Sequence, residues 1–77
     1  MPRYFFNTHN GEFTPDTEGV VLPDLAEART QAQILAGGML QDGSARLWET
    51  GEWRLDVKDE AGGSVCMLTV TTTRSVK

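Results

Sequence analysis

The stretch Pro2-Arg3-Tyr4-Phe5-Phe6-Asn7-Thr8-His9-Asn10-Gly11 sets three consecutive aromatics just ahead of the strongest turn signal in the chain. Tyr and Phe favour a pleated, half-buried surface, and Asn-Gly takes the positive φ angles of a tight type I′ turn. The stretch therefore reads as a first, central β-strand that runs into a hairpin. With Asn10-Gly11 as a two-residue loop, His9 faces Glu12, Thr8 faces Phe13 and Asn7 faces Thr14. Because side chains alternate along a strand, Tyr4, Phe6, Thr8 and Phe13 then share the core face, while Phe5, Asn7 and His9 share the other.

Beyond the hairpin, Thr14-Pro15-Asp16-Thr17-Glu18-Gly19 is rich in turn formers and is expected to be a loop or an irregular edge. Val20-Val21-Leu22 either resumes the edge strand or plugs the core before Pro23. Asp24 is a good N-cap, and Glu27 three residues on completes the pattern of a capping box. From there Leu25, Ala28, Ala32, Leu35, Ala36 and Met39 recur at spacings of three and four, one apolar stripe of a helix lying across a sheet. The small alanines let the helix sit close to a core whose bulk is expected from the aromatics of the first strand. Gly37-Gly38 predicts a bend, Gly43 a left-handed helix end, and Ser44 the cap of a further short turn carrying Leu47 and Trp48.

Glu52 to Lys58 alternates, with Trp53, Leu55 and Val57 inward and Arg54, Asp56 and Lys58 outward. A turn over 59–63 leads to a β-branched run from Ser64 to Thr73, which makes a second hairpin. The preferred register sets Val57 opposite Cys66, Leu55 opposite Leu68 and Trp53 opposite Val70, burying Cys66, Leu68 and Val70 and leaving Thr69 outside. The fold class is thus α+β, a ββαββ chain whose four-stranded antiparallel sheet carries one helix on one face. Residues 1–77 form one domain, with a structured core over 1–70 and a tail over 71–77 expected to fray.

A chain of 77 residues buries only about 60% of its unfolded surface, so self-association is a ready source of extra stability. Its formal net charge of -4 argues against nonspecific nucleic-acid or anionic-membrane binding, which need a basic surface. Cys66 is the only cysteine and has no partner within the chain, which suits a reducing cytoplasm. No apolar run reaches the length of a membrane span and the N-terminus shows no processing pattern, so the chain is expected to be cytoplasmic and mature as written.

Met1 to Phe6, the Asn10-Gly11 turn, Asp16 with Glu18-Gly19, Leu22-Pro23-Asp24 with its alanine-spaced helix, and Trp53-Arg54 followed by Val57, Asp59-Glu60 and Gly62 form an ordered set of landmarks. By this set the chain resembles, end to end, a family of short bacterial proteins, a domain of unknown function, that open with Met-Pro-Arg-Tyr-Phe-Phe. The resemblance implies a ββαββ domain and no mechanism. This chain departs from the family pattern at Asn7, where a histidine is common, and in its last strand, which ends in threonines where an apolar Pro-Phe is frequent. No role resting on that histidine carries over.

His9 is the only histidine, and neither His-x-x-x-His nor Cys-x-x-Cys spacing is present, so no metal ligand set, cofactor motif or catalytic residue is assigned. Neither a Ser-His-Asp nor a Cys-His arrangement can be assembled. Asp16-x-Glu18-Gly19 and Asp59-Glu60 lack the oxygen ligands of a calcium loop and read as solvated turns. Two features remain. Phe5, beside Asn7 and His9 on the outer face, is the kind of aromatic anchor that interfaces favour. Ile34, Gly37 and Gly38 lie on a second, weakly charged helix stripe that would let another element approach closely. The sequence thus points to a non-catalytic protein-interaction module, a homodimer or a partner of another protein. The alternative is a small-ligand or sensor domain using the polar side of the first strand around Asn7 and His9.

Overall fold

The computed structural model describes residues 1–73. Strand β1 (Arg3–His9) is followed by two short strands, β2 (Phe13–Thr14) and β3 (Val20–Val21), then helix α1 (Leu25–Asp42), a one-turn helix α2 (Leu47–Thr50), and strands β4 (Glu52–Lys58) and β5 (Ser64–Thr71). All pairings are antiparallel, and the sheet order is β2-β1-β4-β5, with β3 also pairing with β1. The short strands divide one edge between them. β2 pairs with the His9 end of β1 and β3 with its Arg3-Tyr4 end. The α+β class and the helix on one face of an antiparallel sheet are as the sequence indicates, and Val20-Val21 resumes the edge rather than plugging the core.

The first hairpin has a different register from the one expected. Thr8 faces Thr14 and His9 faces Phe13, so the loop is Asn10-Gly11-Glu12, one residue longer than an Asn-Gly turn. The cause is tertiary. The Asn10 side-chain amide donates to the Ser44 carbonyl at 3.0 Å, and Gly11, at φ +97°, lies so near Thr50 that a Cβ there would stand 2.7 Å from Cγ2. A one-residue slip moves a side chain to the other face. Phe13 accordingly joins His9 on the outer face and is 55% exposed instead of entering the core.

Helix α1 starts at Asp24, whose carboxylate accepts from the Glu27 amide at 2.9 Å, and ends at Gly43 in the left-handed region. It runs through Gly37-Gly38 as one continuous helix. Ala28, Ala32 and Ala36 are buried and bring it down on β4 and β5. The core is built of Tyr4, Leu22, these alanines, Ala45, Trp53, Leu55 and Val57, with Phe6 packed against it. Its largest fully buried side chains, Trp53, Leu55 and Val57, all come from β4, so the bulk sits there and not on the first strand. The Ser44 cap is also corrected. Ser44 donates its own amide to Asp42, and α2 begins from Arg46, which has a left-handed backbone (φ 53°) and a side chain paired with Glu49 at 2.9 Å.

The second hairpin adopts the preferred register, with Val57 facing Cys66, Leu55 facing Leu68 and Trp53 facing Val70, and a bulge at Val57/Lys58 lets Lys58 face Ser64. Cys66 and Val70 are only partly buried and Leu68 is 37% exposed, because β5 is an edge strand on which the helix rests from one side only. β5 runs through Thr71, and the Thr72 amide donates to the Gly51 carbonyl at 3.0 Å. The rest of the tail expected to fray, 74–77, lies outside the described residues. In urea melts, Leu55→Ala should cost about 2–5 kcal/mol, as loss of a fully buried leucine does, whereas Lys58→Ala should stay within about 0.5 kcal/mol.

Candidate functional site

Among the described residues, the middle of β1's outer edge, between β2 and β3, has no strand to pair with. Asp16 takes that place. Its Oδ2 accepts the Phe6 amide at 3.1 Å, while Oδ1 accepts the amides of Glu18 at 3.1 Å and Gly19 at 3.0 Å. The Asp16 amide in turn donates to Asn7 Oδ1 at 2.8 Å. Asn7 is 7% exposed, the one buried polar residue among the described residues, and its amide oxygen serves the loop. Gly19, at φ +73°, lies flat on β1. A Cβ there would stand 2.9 Å from Phe5 Cε2 and from the Tyr4 carbonyl oxygen. Phe5 is therefore half-buried beneath Gly19, a cover supplied by the 15–19 loop. Asp16 and Gly19 are thus structural, and the sequence marks them only as turn formers because their partners are backbone groups of another strand.

The outer sheet face around them is polar. His9 faces Arg54 and Asn7 faces Asp56 across the β1/β4 pairing, with Lys58 4.0 Å from Asp56 and Ser64 bonded to it. His9 also stacks on Phe13 with ring centroids 4.6 Å apart, beside a shallow depression of about 210 Å³ shared with Gly11, Thr50, Glu52 and Arg54. Of the residues singled out in the sequence, Phe5, Asn7 and His9 fall on this face. Ile34, 62% exposed, falls on the opposite side of the molecule on the open flank of α1, where Gly37 and Gly38 have no neighbour within 4 Å of a would-be Cβ. From Thr30 to Gln41 the helix carries no charged residue.

Two further surfaces escape a reading of the sequence. Trp48 is 86% exposed, because a one-turn helix can turn only one side inward and Leu47 occupies it. The free edge of β5, Ser64–Thr71, carries no charged residue along its whole length, and Met67 is 49% exposed on it. Its uncharged composition is visible in the sequence. That it is an edge is not. Among the described residues no group of three or more His, Cys, Asp or Glu side chains gathers as a metal ligand set, and no helix is long and apolar enough to cross a membrane. Burial pushes the Cys66 thiol above its ordinary value, with Asp56 adding to the rise and Arg29 opposing it, so the sulfur stays protonated at neutral pH.

Partial burial raises the Asp16 carboxyl, but the amides of Gly19, Phe6 and Glu18 together outweigh it and hold the group below its usual 3.8. A depressed folded value means that the ionised clasp stabilises fully above the unfolded value, and that this stabilisation is lost as pH falls below 3.8 toward the folded one. Asp16→Ala should cost roughly 1–3 kcal/mol at neutral pH, through orphaned amides on β1. Asp16→Asn should flatten the acid limb of the stability curve below about pH 4. Urea midpoints measured from pH 2 to 7 for the wild type and both variants check this.

A model of a protein family, the domain of unknown function DUF6894, matches residues 3–71. No curated protein and no solved structure matches the chain. The matched span reaches from the first residue of β1 to the last of β5 and takes in Asp16, Gly19 and the whole core. The chain belongs to the DUF6894 family.

Proposed function

We propose that the chain is a non-catalytic interaction module that pairs with a second copy of itself through the free edge of β5. The observation that carries this reading is the edge itself: eight residues, Ser-Val-Cys-Met-Leu-Thr-Val-Thr, with no charge, no proline and, among the described residues, no covering element. An unpaired edge offers a row of amides and carbonyls to another strand, and chains that avoid such pairing guard the edge with lysine, proline or a covering loop. None of those guards is present on β5 among the described residues.

A second copy suits this edge by charge as well. Two molecules of net charge -4 repel over most of their surfaces, whereas two antiparallel copies of β5 bring together only neutral side chains. A stable contact buries about 800 Å² per partner, more than backbone pairing alone provides. The flank supplies the rest: a hollow of about 290 Å³ between α1 and β5, lined by Arg29, Gln33, Cys66, Met67 and Leu68, adjoins the edge and is open to a neighbour's side chains. Phe5, under Gly19, has less area to offer, and the helix stripe offers one isoleucine. A cytoplasmic setting, in which Cys66 stays a thiol, belongs to the same reading.

Light scattering across a concentration series should give a dimer mass for the wild type and for Ile34→Glu, and a monomer mass for the double variant Met67→Lys/Thr69→Lys, whose folded state circular dichroism confirms. A monomer mass at every wild-type concentration would sink the proposal. Loss of the dimer in Ile34→Glu alone would move the interface to the helix.

A further inference from the structure

The helix does not reach the β1 side of the sheet, and a groove of about 490 Å³ opens there between α1 and the strand β1 with its edge loop. Gln31, Leu35 and Met39 form one wall, and Phe6, Pro15 and Val20 form the other with Thr8, Thr14 and Asp16. We infer that this groove is a binding site for a small amphipathic cation, an apolar or aromatic body bearing a primary ammonium group.

The volume lies within the range of about 300–1,000 Å³ usual for small-molecule sites, and the walls have the usual makeup, mostly apolar with a few polar groups. The apolar walls are unfilled: Val20 is 44% exposed and Leu35 37% exposed although they face one another across the groove. An apolar body placed between them gains contact on both sides. The charge of the ligand follows from the polar groups. Among the described residues no lysine, arginine or histidine lines the groove, and the one ionised group is Asp16. A carboxylate has about four lone-pair positions. Three of those on Asp16 accept backbone amides, which leaves one on Oδ2 unused among the described residues. Gln31 makes no side-chain hydrogen bond among the described residues and adds a carbonyl acceptor on the opposite wall. An ammonium group can donate to the free Asp16 position, and Gln31 adds to the acceptor character of the groove. The faces of Phe6 and the Met39 thioether are soft partners for the same charge and for an aromatic ring. An anion of equal size would meet Asp16 and an acidic molecule with no cation to receive it.

The groove lies across the sheet from β5 and is independent of dimer formation. ¹⁵N–¹H spectra of the full chain, titrated at pH 7 with 2-phenylethylammonium chloride, should show saturable shifts at Val20, Gln31, Leu35 and Met39. Sodium 3-phenylpropionate, of similar size and opposite charge, should bind at least about tenfold more weakly, the difference expected of one charge-assisted contact. Leu35→Trp, at a partly exposed position where the larger ring fills the groove, should abolish the shifts while leaving the spectrum otherwise folded. Met67→Lys/Thr69→Lys should bind as the wild type does. Absence of saturation with the ammonium probe, equal binding of the carboxylate, shifts confined to other residues, or unchanged binding by Leu35→Trp would each overturn the inference.

Discussion

The bond from the Phe6 amide to Asp16 Oδ2 is the constraint on which the outer half of the sheet rests. β1 is central, yet on its outer side it has strand partners only at its two ends. A bare amide in the gap would be a partly buried donor without an acceptor, a cost comparable to a lost hydrogen bond. One carboxylate closes the gap and, through the amides of Glu18 and Gly19, fixes the turn that carries the chain from β2 to β3. The burial of Asn7, the close approach of Gly19 to Phe5 and the placing of Val20 over the edge follow from that one clasp. Because the acceptor is charged, each of its bonds is stronger than a neutral one of the same kind.

The other half of the molecule obeys a constraint of width. Strands lie about 4.8 Å apart and a helix with its side chains is about 10 Å across, so one helix covers about half of a sheet four strands wide. The alanine stripe settles which half, since Ala28, Ala32 and Ala36 fit closely over the bulky row Trp53, Leu55 and Val57. Dense packing on β4 therefore leaves β1 with its aromatic ring beside an open groove, and the far edge of β5 has no cover among the described residues. Both surfaces have one origin, a helix too narrow for its sheet.

The legible parts of the sequence are those whose partners are near in the chain or repeat with a period. Asp24 and Gly43 bound the helix as their residue types require, and the alternation of β4 with the register of the second hairpin is carried by hydrophobic side chains two apart. The illegible parts depend on distant partners. Asn10-Gly11 has the composition of a two-residue turn, but its contacts with Ser44 and Thr50 draw Glu12 into the loop and send Phe13 outward. Asp16 reads as a solvated turn because nothing local announces that its acceptors will meet β1. Trp48 reads as an ordinary apolar residue until the length of α2 shows that only Leu47 can turn inward.

The pairing of β1 with β4 has a consequence for how the chain reaches this structure. Phe6 faces Val57, so the centre of the sheet joins a strand near the start of the chain to one that follows both helices. The closure must be made across about two thirds of the sequence before the core contacts of β4 can reward it, and folds dominated by such distant pairings fold slowly. During synthesis the aromatic run Tyr4-Phe5-Phe6 emerges well before its partner strand β4, which follows both helices. Until then the most sheet-prone part of the molecule has only β2, β3 and the Asp16 clasp to shield it, and that local unit is what stands between the nascent strand and pairing with the wrong chain.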